Sequence, residues 1–287
     1  MDRTWCSYNE SLVKRGEFFI SLEFLETWFE ELAAMNTKKR GRPYEYPNGL
    51  MQFCSVIYTF FGLPYRQTEG VLRGLGKRFG FPAPDYTTPF RRMQKIEFDI
   101  PQTDEPIVVA LDSTGIKVTT RGEWMHKVWN GEERKGWIKV HISADVRTKK
   151  LCAIEVTNEK CHDCQVFPKL LEPVPRIADV LADGAYDTRE CFNYLDKRGV
   201  GPPGIRVRDN ASTKPHRCWL RQQAVLERRK LGYKGWKEKH DYGMRWPGSE
   251  GIFSAVKRCF GESVRATSQD GMVREVKRRF CLYSLLL

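Results

Sequence analysis

Ile107-Val108-Val109-Ala110-Leu111-Asp112-Ser113-Thr114-Gly115 and, later in the chain, Asp179-Val180-Leu181-Ala182-Asp183-Gly184 decide the reading of this sequence. Each is a short apolar run that ends in an aspartate, with glycine following within three residues. A run without polar alternation reads as a strand buried on both faces. In open α/β sheets reactive groups gather where strands end, so Asp112 and Asp183 are the first candidates for chemistry. Side by side, two such strands would bring both carboxylates within reach of one cation, and hard ions such as Mg²⁺ prefer oxygen ligands. The plainer alternative, that each acid caps a turn, stays open until a third acid is found.

Working outward, residues 136–146 and 151–156 read as a hairpin across the polar turn Arg147-Thr148-Lys149-Lys150. Helices are expected over 163–171, 188–197 and 248–260, with a short strand at 205–207. Strands first and then alternating helix and strand indicate an α/β domain with a mixed sheet, spanning 101–287. Residues 1–100 differ. Helical spacing covers 22–35, 47–61 and 65–79, and Thr87-Thr88-Pro89-Phe90-Arg91-Arg92 opens a short fourth helix with a threonine cap and an early proline. The last three suit a helix-turn-helix-like unit that lays its basic final helix, with Arg91 and Arg92, on DNA; an ordinary small helical domain is the alternative.

The 287 residues carry 48 Lys and Arg against 36 Asp and Glu, a formal charge of +12. That balance argues against an acidic enzyme of small metabolites as the default reading and for a polyanionic partner. The charge is concentrated. Residues 206–239 hold eleven bases, Arg228, Arg229 and Lys230 among them, against three acids, and residues 257–279 hold seven against three. Solvated helix faces would explain either run alone. Trp219, Tyr233, Trp236, Tyr242 and Trp246 interleave the bases, as expected of a surface that also stacks on nucleotides. Arg40-Gly41-Arg42-Pro43 resembles a minor-groove AT-hook arm, though a solvated linker has the same composition. No apolar stretch reaches the roughly 20 residues of a membrane span. Without an apolar leader the chain is expected in the cytoplasm. Its nine cysteines then read as reduced thiols. Cys161 and Cys164 have the spacing of a zinc half-site, but His216 and Cys218, the other candidate half, are separated by a single residue.

Glu250 supplies the third acid. It lies seven residues before Lys257, two helical turns, so both project from one face of the expected helix. In that reading Glu250 completes the cation site while Lys257, its neighbour Arg258 and Arg245 hold DNA phosphates. The order of acids, with a lysine after the last, resembles the DDE transposases of bacterial and archaeal insertion sequences. Their late-helix signature is Tyr, two residues, Arg, three residues, Glu, six residues, Lys. Tyr242, Arg245, Glu250 and Lys257 follow it with one difference: four residues separate Arg245 from Glu250. His162-Asp163 resembles the His-Asp pair common in the family after the hairpin.

The resemblance implies an RNase H-like catalytic core behind a helical DNA-binding region. It also implies Mg²⁺, with Mn²⁺ as a substitute, held by Asp112, Asp183 and Glu250. Double-stranded DNA, both element ends and target, would be the substrate, worked on by a homodimer nucleoid-associated when bound. The expected activity is cleavage of the element ends and joining of the 3′ hydroxyls to target. The alternatives are an RNase H-like nuclease that does not join and a DNA-binding regulator without catalysis. Three acids in so basic a surface would repel phosphate unless a cation intervened, which favours the enzymatic readings.

Overall fold

The computed structural model describes residues 5–95, 100, 103–118 and 136–287. The chain divides into two compact units, Met1–Phe98 and Asp99–Leu285.

The first unit is helical: α1 (Trp5–Phe19), α2 (Trp28–Asn36), α3 (Asn48–Phe60), α4 (Tyr65–Phe79) and α5 (Thr87–Arg92). Helix α1 was not expected. The single helix expected over 22–35 is instead a 3-10 turn, Glu23–Leu25, followed by α2, because Phe24 turns inward there onto Trp28, Phe53 and Phe81. Helices α3 and α4 form where helical spacing placed them, and Gly80 ends α4 at φ +78, a left-handed stop that favours glycine. The cap of α5 is a correction. The Asp85 carboxylate, not a threonine, accepts from the Thr87 and Thr88 N–H groups.

The second unit is built on one sheet of β1 (Ile107–Lys117), β2 (Trp137–Asp145), β3 (Leu151–Thr157) and β4 (Ile177–Leu181), in the order β3-β2-β1-β4. Strands β1, β2 and β3 form an antiparallel meander, and β4 adds parallel to β1. A mixed sheet is what the sequence predicts, and this order agrees with the RNase H-like core that the resemblance implies. Helices α6 (Asp163–Leu171) and α7 (Arg189–Lys197) pack Val166, Phe167, Leu170, Phe192 and Leu195 against Val109, Leu111 and Val180. Of the expected strand at 205–207 only a parallel bridge, Ile205 to Ala182, is formed.

The basic stretch becomes α8 (Trp219–Lys239), interrupted at Gly232, whose φ of 67° and ψ of 172° leave the helical region. Two further helices follow, α9 (Gly251–Phe260) and α10 (Gln269–Leu285). The apolar C-terminal segment packs inward along β3, where Ser284 Oγ accepts from the Leu151 N–H and Phe280 and Leu282 are fully buried.

Candidate active site

Asp112 does not close its strand. Strand β1 continues to Lys117, held by β2 through the Lys117–Trp137 pair. What ends near Asp112 is β4, whose last pairing with β1 is Leu181 opposite Ala110. Two residues beyond that pair on each chain segment stand Asp112 and Asp183, so parallel register places both acids level with each other just past the end of β4. Asp183 lies in an extended conformation and accepts from the Ala185 N–H at 2.9 Å, capping a 3-10 turn, Gly184–Tyr186. It combines the two readings open at the sequence level, an acid at a strand end and a turn cap.

Glu250 arrives from a different direction. Between Arg245 and α9 the backbone forms one π-turn, Trp246–Glu250, in which the Gly251 N–H bonds to the Trp246 carbonyl five residues back. A π-turn is an α-helix with one residue inserted. The extra residue between Arg245 and Glu250 is therefore absorbed as a local bulge. Arg245 and Glu250 stay neighbours, and Glu250 stays in phase with Lys257.

The result is a bridge. Arg245 donates through Nη1 to Asp112 Oδ2 at 2.7 Å and through Nη2 to Glu250 Oε1 at 2.7 Å. Ser249 Oγ donates to Asp112 Oδ2 at 3.1 Å, and the Ser113 N–H donates to Asp112 Oδ1 at 2.8 Å. Burial raises the Asp112 carboxyl above its ordinary range, and Arg245 and these donors oppose the shift; the charge of Asp183 pushes it further up, so the two aspartates are electrostatically coupled. Lys257 Nζ reaches Thr114 Oγ1 at 2.8 Å. Asp112, Thr114, Glu250, Lys257 and Arg258 line one open cavity, and Asp183, Arg206, Arg208 and Asn210 line a second.

On the other face of the sheet lies a second polar cluster. Asp163 Oδ1 is 3.0 Å from His141 Nδ1 and 2.9 Å from Lys139 Nζ, both on β2. Burial alone would raise the Asp163 carboxyl, but contacts from His141, Lys139 and Ser113 bring it down to about 2. Only Asp163 of this group was visible in the sequence, through the His-Asp pair; Lys139 and His141 look like alternating strand residues. Ser249, Thr114, Arg206 and Arg208 were also not singled out. Thr114 had a usable signal, since it shares the Asp112 face at i+2.

Several expected DNA contacts have partners within the protein. The Tyr242 hydroxyl is buried and donates to the Ala182 carbonyl at 3.2 Å, so it braces the end of β4 and does not face a phosphate. Arg228 pairs with Asp209 at 2.6 Å and lies over the Tyr233 and Trp236 rings, which turns it inward. Arg229 and Lys230 are both exposed, and Arg229 donates to the Ala211 carbonyl. In the first unit, half-buried Arg92 donates to Asn48 Oδ1 at 2.7 Å and to the Tyr46 carbonyl; Arg91 is exposed. Arg40 and Arg42 do not sit on an extended arm. Asn36 and Tyr44 close the loop by two hydrogen bonds, Gly41 turns at φ +85, and Arg42 pairs with Glu45. Arg258 is exposed at the cavity of Glu250.

Asp112, Asp183 and Glu250 offer the hard oxygen donors that a divalent cation takes, so the donor chemistry fits Mg²⁺ or Mn²⁺. As they stand, no three His, Cys, Asp or Glu side chains among the described residues are grouped to hold a metal ion, Cys161 and Cys164 included. A positive charge already occupies the place between Asp112 and Glu250, and it is Arg245.

A family model described as a transposase DDE domain matches residues 103–285, and a second model of the same description matches residues 13–121. A solved structure described as the Drosophila P element transposase strand transfer complex aligns over 90% of this chain and 68% of its own length, at 10% identity and a TM-score of 0.33. No helix among the described residues is long and apolar enough to cross a membrane. With the family model covering nearly the whole sheet-bearing unit and all three acids inside it, the chain belongs to the DDE transposases.

Proposed function

We propose that this transposase cuts the ends of a DNA element and joins the exposed 3′ hydroxyls to target DNA, with Asp112, Asp183 and Glu250 holding the divalent cations. One observation carries the reading: parallel register sets Asp112 beside Asp183, while the π-turn delivers Glu250 to the same place. When bound, the cations supply Lewis-acid polarisation of the phosphodiester and activation of the attacking oxygen. The chain's own residues do the rest. Lys257 and Arg258 line the cavity beside Glu250, Arg206 and Arg208 the one beside Asp183, and these cations hold DNA backbone on both sides of the acids. The Ser113 N–H and Ser249 Oγ fix the orientation of the Asp112 carboxylate before DNA arrives. Because an element has two ends, two copies of the chain act together on DNA.

The test is incubation with labelled element-end duplex and supercoiled target, with and without Mg²⁺. Joined product that requires Mg²⁺ supports the reading. Cleavage without joining makes the chain a nuclease, and retention without cleavage makes it a DNA-binding regulator; either result sinks the proposal.

A further inference from the structure

Arg245 holds two carboxylates at once, and those two are candidate cation ligands. Its guanidinium is 2.7 Å from both Asp112 and Glu250, and the pair it makes with Asp112 is largely removed from water, the two side chains being 16% and 14% exposed. Glu250 is 42% exposed, so the arginine seals the inner ligand and leaves the outer one at the mouth of a cavity that also presents Lys257 and Arg258. A planar fork suits this role: two parallel donors can span two acids, and the same fork matches a phosphate equally well.

We propose that Arg245 is an internal counter-cation that keeps the catalytic carboxylates neutralised in the DNA-free chain and is exchanged for metal when a DNA phosphate draws its guanidinium away. This rests on the reading above that Asp112 and Glu250 hold the cation. A divalent ion held by Asp112 and Glu250 would compete with Arg245 for the same two negative charges, so the hold of the arginine loosens as the ion binds. Without the arginine, two acids would face each other across a partly buried gap, a geometry that repels itself and seeks any available cation. A phosphate entering beside Lys257 and Arg258 offers the guanidinium an alternative bidentate partner. Metal loading then follows DNA binding, and by linkage metal strengthens the hold on DNA by the same factor. The site would be weakest for metal while no DNA is present, which limits stray cleavage.

The experiment measures Mn²⁺ binding by paramagnetic resonance of the free ion, on the full chain, with and without a DNA duplex carrying the element end. Arg245→Gln removes the positive charge and shortens the side chain while keeping a polar end, and Arg245→Lys keeps the charge without the fork. Removal of the arginine is expected to tighten Mn²⁺ binding to the DNA-free chain roughly tenfold, with lysine between glutamine and wild type. DNA is expected to tighten Mn²⁺ binding more in the wild type than in Arg245→Gln. Equal or weaker Mn²⁺ affinity in folded Arg245→Gln, or in Arg245→Lys if the first variant does not fold, overturns the exchange while leaving the metal site standing. If no variant and no DNA complex binds Mn²⁺, the metal-site reading falls and this proposal with it. Circular dichroism reports folding in each case.

Discussion

Two places in the second unit use the same electrostatic device, one cation between two carboxylates, and treat it in opposite ways. At one, His240 Nδ1 lies 2.7 Å from Asp179 Oδ2 and its Nε2 2.7 Å from Glu227 Oε1, tying the end of α8 to β4. At the other, Arg245 ties the start of the π-turn to β1. The His240 side chain is 5% exposed and its acids are further satisfied: Asp179 Oδ1 accepts from the Val180 and Gly204 N–H groups, and Glu227 pairs with Lys239. Arg245 has fewer supports, and one of its acids opens on a cavity. Full satisfaction makes a buried network structural; partial satisfaction at a cavity mouth leaves it exchangeable. One network ties α8 to β4 and the other ties the π-turn to β1, so the first braces the scaffold and the second sits at the proposed reaction site.

The sharpest way to break this comparison is to remove one acid from each site. Asp183→Asn should abolish strand joining, by on the order of 10³-fold or more, with little loss of stability, because the proposed role of Asp183 lies in the reaction and its one side-chain contact caps a short turn. Asp179→Ala should do the reverse. It strands His240 beside Glu227 and leaves the Gly204 N–H without its acceptor, at a cost of about 3 kcal/mol in chemical denaturation, while the folded fraction keeps its joining activity. If Asp179→Ala kills joining without moving the unfolding midpoint, the assignment of structure to one site and chemistry to the other is wrong.

A smaller effect follows from pH. Burial alone would lower the His240 pKa, but Asp179 and Glu227 outweigh it and raise it above 6.5. A raised folded-state pKa gives stability that is complete below the unfolded value near 6.5 and lost as pH rises through the folded value. The unfolding midpoint should therefore drop as pH climbs above neutral, and His240→Gln should flatten that slope. A slope unchanged in His240→Gln would mean that the proton is not held between the two acids.

Much of the scaffold was legible because apolar burial writes itself into sequence. The apolar runs that became the starts of β1 and β4, the hairpin and α6 stand where the sequence put them, since each buries a face that must be apolar. Two features of the site were not legible for a shared reason. Past Leu111, β1 carries Asp112, Ser113, Thr114 and Gly115, which read as a loop; pairing to β2 keeps them extended, and the polar side chains are there for the site. The π-turn reads as a proline-glycine break because no local propensity marks an inserted residue that tertiary packing holds in register. The basic charge was legible in number but not in direction. Arg228, Arg92 and Arg279 are turned inward by Asp209, Asn48 and Glu275, contacts that no spacing rule predicts.

The finest test concerns how the π-turn is seated. A Cβ on Gly248 would come 3.0 Å from Ala110 Cβ and 3.6 Å from Val146 Cα, so glycine lets this turn lie directly on the β1–β2 hairpin. Gly248→Ala should lift the turn by a few tenths of an ångström, costing about 1 kcal/mol. The consequence for the two networks differs. Lifting the turn carries Ser249 and Arg245 away from Asp112 but leaves His240 untouched, because His240 is anchored from α8 and β4. Joining activity should fall severalfold while the pH slope assigned to His240 stays as in the wild type. A changed pH slope with intact joining would show that the π-turn braces the scaffold rather than the catalytic site.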